Sequence, residues 1–387
     1  MATTVDLTRA SRDTISSLRT AIDQSAVASR RISTGQRVND AFEDPASFFT
    51  AQSLTNQASE LDRTLDQLGQ GVQIVKAASE GISSIDELLD AAKAVVNRAG
   101  QSDDAFARAD FAKSFNDLLD QMEGVAKDSS YRGKNLLLGE GHDLKLYFSD
   151  EARDAIVIAA RDLSDVGRTL GLERIDEGTI GVAETKLAPG GTPLAATDPA
   201  ANASDQFAIG DTVEIRRQSD GALLSSVTIG ADTTVSSLAS SLSNADAGVR
   251  ASYGADGVLR IEAAVGVTID GGVAGGSFDG TSIDATPSGW FDADATTAEA
   301  EGVQSARDTL RLISVAFGTN LTMLQNRETF MKEFSGTLVT GAETTIGADL
   351  NEEGANLLAL QIRQQFSSSA LSFANEADQG VLRLLGG

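Results

Sequence analysis

One histidine, His142, is the only imidazole in 387 residues, and it sits in Gly139-Glu140-Gly141-His142-Asp143, where the glycines make an exposed turn the natural reading. A His-dependent triad would have to use it, and the HExxH zinc motif needs two such residues. There is no cysteine, so thiolate metal sites, disulfides and cysteine nucleophiles are excluded. Gly133-Lys134-Asn135 lacks both the upstream glycine and the hydroxyl of a phosphate-cradling loop. Gly275-Gly276-Ser277-Phe278-Asp279 comes close to a nucleophile elbow but ends in Asp, which makes it a surface loop. Between 185 and 293 there are 13 acidic residues, scattered singly at turns rather than paired for glycoside cleavage. Asp270-Gly271-Gly272 to Asp279-Gly280 lacks the regular spacing of calcium repeats. Trp290 is expected to pack a junction rather than bind sugar. The expectation is a non-enzymatic chain with no catalytic residue, no metal site and no cofactor.

The spacing that does carry chemistry is apolar, and its chemistry is association. Near the start, Ile15, Leu18, Ile22 and Ile32 form a thin seam interrupted by Ser25 and Ser29; Gly35 and then Asp44-Pro45 break it. From Leu54 the pattern strengthens through Leu61, Leu65, Leu68, Val72, Val75, Ile82, Ile85, Leu89 and Val96, which predicts one long helix ending at Gly100. Asp103 and Asp104 can cap a second helix carrying Phe106, Phe115, Leu118, Met122 and Val125. Leu144, Leu146 and Phe148, with Ile156 to Ile158, predict a β-hairpin.

Past Lys186 the texture changes. Pro189, Pro193, Pro199 and Pro287 flank short alternating runs with Asp220-Gly221 and Asp256-Gly257 turns, and a short helix through Val235, Leu238 and Leu242. Hinges are expected at both proline edges. Helical periodicity returns from Val303 to Leu338 and again through Leu350, Leu357, Leu360, Leu371, Val381 and Leu385, with Gln364, Ser367 and Asp378 where apolar residues belong.

Acidic residues outnumber basic ones 56 to 31, for a net charge of −25, so nucleic acid is a poor partner. Met1 to Thr20 has no apolar signal segment, and no window is apolar enough to span a bilayer, so no membrane insertion is expected. The two ends carry opposite charge: residues 1–40 hold six Arg and four Asp, and 345–387 two Arg against five acids. Each terminal seam alone buries too little to offset ordering costs of about 1–2 kcal/mol per residue. The termini are therefore expected to gain helix only on pairing with each other and with further copies.

At this point the sequence resembles the bacterial flagellins. Ile32-Ser33-Thr34-Gly35-Gln36-Arg37-Val38-Asn39-Asp40-Ala41 with Asp44-Pro45-Ala46 resembles the family's terminal-helix turn, and Leu68-Gly69-Gln70-Gly71-Val72-Gln73-Ile74-Val75 with Glu80-Gly81 its long helix. Ala355-Asn356-Leu357-Leu358-Ala359-Leu360-Gln361 through Gln364-Gln365, with Val381-Leu382-Arg383-Leu384-Leu385, resembles the carboxyl terminus. The resemblance implies a mainly α fold: a long antiparallel helical coiled-coil rod built from both termini, with a β-hairpin and an inserted small α+β outer domain. The implied domains are 1–40 plus 345–387 as an inner tube, 41–184 plus 294–344 as an outer tube, and 185–293 as an outward insert. The implied function is the subunit of the secreted flagellar filament used for swimming, with a hook–filament junction adaptor of the same architecture as the alternative. Implied partners are further copies in a helical homopolymer, hook-junction and filament cap proteins, and an export chaperone on the carboxyl-terminal segment. Export through the type III apparatus is implied as well. The expected self-assembly interface is Ile15, Leu18, Ile22 and Ile32 with Leu350, Leu357, Leu360 and Leu371.

Overall fold

The computed structural model describes residues 9–147 and 155–385. The chain is mainly helical with an inserted β region, and it falls into two compact units. One unit joins the chain's ends, up to Gly69 and from Gln325 onward, and the other runs from Gln70 to Leu324. The helices are α1 (Arg9–Thr34), α2 (Pro45–Gly100), α3 (Ala105–Asp128), α4 (Val166–Leu170), α5 (Val235–Leu242), α6 (Ala295–Ile346) and α7 (Leu350–Leu385).

Helix α2 begins at Pro45, well before the first strong apolar repeat at Leu54. Asp44 accepts hydrogen bonds from the Ser47 amide (3.2 Å) and the Ser47 hydroxyl (2.6 Å), and Pro45 occupies the first helical position, where its missing N–H costs nothing. The Asp-Pro pair that reads as a helix breaker in the sequence is a helix start. The Ser47 hydrogen bonds, with Arg37 nearby, hold the Asp44 carboxyl below its ordinary range.

Within 70–324, α2 contributes Val75, Ile82, Ile85 and Leu89 to a core completed by Phe115, Leu119 and Met122 of α3 and by Val303, Ala306 and Leu310 of α6. Leu119 is fully buried where the sequence suggested Leu118, because Phe115, Leu119, Met122 and Ala126 follow the four-three-four helical repeat and Leu118 falls beside it. Asp104 caps α3 by accepting from the Phe106 amide at 2.9 Å. Across α2 and α6, Arg307 donates to Asp86 (3.2 Å) and Asp90 (2.8 Å), and Lys93 to Gln304 (3.0 Å). Strands β1 (Leu144–Tyr147) and β2 (Ala155–Ile158) pair antiparallel with Leu146 opposite Ile156, as the alternation predicts; Phe148 lies outside the described residues.

The inserted region holds two antiparallel sheets. Strands β3 (Gly181–Lys186), β7 (Val258–Ala263) and β6 (Val249–Tyr253) form one, in that spatial order. Strands β5 (Leu223–Thr228), β4 (Thr212–Arg217), β8 (Val267–Asp270) and β9 (Thr281–Ile283) form the other. Helix α5 buries Val235, Leu238 and Leu242 in the shared core, where the Phe207 and Phe278 rings stack 6.0 Å apart. Strand β3 begins before residue 185 and crosses it, pairing along its whole length with β7. The proline-rich entry is packed rather than loose. The Leu187 amide donates to Gly257 O at 2.7 Å, Pro199 bridges Thr234, and Pro193 sits where a Cβ on Gly257 (φ +81°) would come within 2.6 Å.

Candidate self-assembly interface

Two chain breaks meet at the base of the terminal helices. Gly35 ends α1 in the left-handed region (φ +70°), its amide donating to Arg31 O at 2.8 Å. The following amides, Arg37 and Val38, both donate to Ile346 O, at 2.6 and 3.2 Å. In return Ala348 donates to Gly35 O at 3.0 Å. The α1–α2 loop and the α6–α7 break are thus joined through backbone groups that helix ends leave free. Asp349 then starts α7, its carboxylate accepting from the Asn351 (2.9 Å) and Glu352 (3.3 Å) amides.

From that base α7 runs antiparallel along α1. Arg31 pairs with Glu353 at 2.9 Å, and ten residues back along α1 the Gln364 amide group donates to Ala21 O at 3.0 Å. The faces between them follow a heptad. On α1 the covered positions are Ser11, Thr14, Leu18, Ala21, Ser25, Ala28 and Ile32; on α7 they are Glu353, Leu357, Leu360, Gln364, Ser367, Leu371 and Ala374. Only Ser11, Ala21, Ala28 and Glu353 of these are buried, and the leucines stay half-exposed. Small and polar side chains let the helices approach closely but remove little apolar surface.

Of the residues predicted from the sequence, Leu18, Ile32, Leu357, Leu360 and Leu371 lie on this seam. Ile15 is half-buried beside Thr14, which takes the heptad position. Ile22 and Leu350 lie outside this heptad, 49% and 53% exposed. Ala21, one residue back and about 100° round the helix from Ile22, faces α7 instead, and Leu350 belongs to the first turn, before the seam begins.

A second stripe escaped the sequence reading. Leu358, Ile362, Phe366 and Phe373 are 45–72% exposed and recur at spacings of four, four and seven. At 100° per residue they lie opposite the Leu357–Leu371 seam, so α7 is apolar on two faces. Helix α1 is not: Arg12, Arg19 and Arg30 occupy its outward side. The signal was present in two phenylalanines seven residues apart, but a single-stripe reading assigned α7 one face only. Ile362 and Phe366 also line a shallow groove with Asp13, Thr14 and Ser17 of α1. Phe330 and Phe334 of α6, stacked 5.9 Å apart, are a further exposed pair in this unit.

Among the described residues, no group of three or more His, Asp or Glu could hold a metal, and no helix is long and apolar enough to cross a membrane. His142 is half-buried in its turn, its amide bonded to Gly139 O.

Comparison with known proteins bears on what these helices are. The bacterial flagellin N-terminal helical region matches residues 8–141, and the bacterial flagellin C-terminal helical region matches 295–385. The chain belongs to the bacterial flagellin family. Flagellin B of Vibrio anguillarum is 22% identical over 95% of this chain and 96% of its own length. Flagellin A of Rhizobium meliloti is 23% identical over 96% of each. Among solved structures, the flagellar junction protein FlgL from Legionella pneumophila aligns with 77% of this chain and 99% of its own, at 13% identity and a TM-score of 0.36. Flagellins are structural proteins of the extracellular flagellar filament, not enzymes, and they self-polymerise. The two family regions hold the helices described above, α1 to α3 and α6 to α7, while the inserted sheets lie between them.

Proposed function

We propose that this flagellin-family chain is the filament subunit itself, secreted and polymerised into the helical filament that drives swimming. The observation that carries this reading is the two-faced α7. Its seam is taken by α1, and the opposite stripe of Leu358, Ile362, Phe366 and Phe373 has no cover in its own unit. An exposed row of this kind marks an interaction surface, and a second copy is the occupant that continues the α1–α7 contact outward. In this reading 1–40 plus 345–387 line the inner tube and 41–184 plus 294–344 the outer tube. Residues 185–293 project outward. Leu18, Ile32, Leu357, Leu360 and Leu371 hold each terminal pair together, and the outward stripe joins one pair to the next. The thin seam supports a further point: the terminal helices are marginal alone and become stable on assembly.

The same surfaces would serve the other partners in turn. An export chaperone would cover the carboxyl-terminal stripe before secretion, and hook-junction and cap proteins would meet it at the filament's ends. The test is polymerisation of the purified chain onto filament fragments, followed by electron microscopy. Filaments that elongate without limit support the subunit reading. Short, self-limited assemblies support the junction adaptor, and a chain that never adds to seeds refutes both. Amide exchange on dilute monomer tests the ends: fast exchange in α1 and α7 is expected, and native-like protection there would rule out folding on assembly.

A further inference from the structure

We propose that Arg108 is a buried latch that fixes the inserted α+β region to the start of helix α3. All of its partners lie within the 70–324 unit. The side chain is 2% exposed. Its Nε donates to Trp290 O (3.1 Å) and Phe291 O (2.9 Å), its Nη1 to Ser102 O (2.7 Å), and its Nη2 to Phe291 O and to Asp246 O (3.5 Å). The carboxylate nearest to hand, Asp246, is 3.7 Å away and 77% exposed.

A guanidinium out of water is costly unless its donors are filled, and here backbone carbonyls take four of its five N–H groups in place of a close counter-ion. Those carbonyls come from three separate segments. Ser102 belongs to the α2–α3 turn, Asp246 to the α5–β6 turn of the insert, and Trp290 and Phe291 to the insert's exit. Moving any of the three away costs the buried guanidinium hydrogen bonds. Neighbouring contacts converge on the same point. The Ala105 amide, one of the free donors at the start of α3, donates to Ala245 O at 3.0 Å. Arg250 of β6 lies 4.5 Å over the Phe106 ring and donates to Asp104 at 2.9 Å. Trp290 is 1% exposed, its ring 5.3 Å from that of Phe115. The insert is therefore latched where the sequence suggested a hinge, and every copy holds it in one fixed pose on α3.

Trp290 is the chain's sole tryptophan, so its fluorescence reports the latch directly. In the full-length protein, tryptophan emission and far-UV circular dichroism are expected to melt together. Arg108→Ala should keep the helical signal at room temperature while acrylamide quenching of Trp290 rises about threefold or more and its melting moves ahead of helix loss. Arg108→Lys should fall between the two, since an ammonium cannot span the three segments as a planar fork does. Asp246→Ala should match the parent. Three results would overturn the latch: unchanged quenching with coincident melting in Arg108→Ala, loss of its entire helical signal, or an equal effect from Asp246→Ala, which would assign the junction to the surface ion pair.

Discussion

At Gly81, in the middle of α2, an added Cβ would lie 2.0 Å from the Ser129 hydroxyl and 2.9 Å from a Leu137 methyl. The turn after α3 closes onto α2 at that point, so Gly81→Ala should destabilise the chain by about 1–3 kcal/mol, read as a lower denaturation midpoint. Glu299 tests charge in the same way. Burial first, and the neighbouring Glu173 second, push its carboxyl above the ordinary value of 4.5. A raised carboxyl binds its proton more tightly when folded, so its contribution is full below 4.5 and is lost as pH rises through the folded value. At neutral pH the ionised group opposes folding. Glu299→Gln should raise the melting temperature at pH 7 and leave it nearly unchanged in acid; equal shifts at both pH values would count against burial as the cause. Asp44 has the opposite sign. Its lowered carboxyl supports the start of α2 above the ordinary 3.8, and that support disappears as pH falls through the folded value.

At the scale of elements, α7 separates two kinds of failure. Leu360 lies on the seam toward α1, and Phe366, 72% exposed, on the opposite face. Leu360→Asp puts a carboxylate into the α1–α7 contact, so both the terminal pair and polymerisation should fail while the 70–324 unit keeps its melting transition. Phe366→Asp should leave the monomer's melting and helix content unchanged. Its loss removes about 1.5–3 kcal/mol of apolar burial per subunit, raising the critical concentration for polymerisation about ten- to hundred-fold. Sedimentation of polymer from monomer reads that shift. Wild-type assembly by Phe366→Asp would remove the outward stripe from the interface, and normal swimming with Leu360→Asp would remove the seam.

For the molecule as a whole, charge opposes what the apolar faces favour. Each copy carries a net −25, so packing copies side by side accumulates repulsion that salt screens within a Debye length of about 10 Å at 0.1 M. The critical concentration should fall by about an order of magnitude between ~0.05 and ~0.5 M salt. A rise over the same range would mean that ion pairs between copies, not apolar burial, hold the polymer. The Arg31–Glu353 pair within the chain is partly exposed and should contribute little to that response.

Several features of this protein follow from local sequence. The absence of cysteine excluded thiolate sites and the lone His142 an HExxH zinc motif; three- and four-residue spacing marked α2, α3 and α6; and Asp-Gly turns between alternating residues placed β4 to β7. These are properties of neighbours along the chain, where helical and strand periods leave their mark. Strands β3, β8 and β9 did not show, being short or lacking alternation, and β3 and β8 are held by β7 and β4, far away in sequence. Asp44-Pro45 breaks the pattern in sequence and starts a helix in space. Which of Ala21 and Ile22 meets α7, that α7 has a second apolar face, and that Arg108 gathers carbonyls from three segments were decided by tertiary structure alone. Each depends on which residues lie opposite across a contact, and helical phase is set by the partner's surface rather than by the residue's own hydrophobicity.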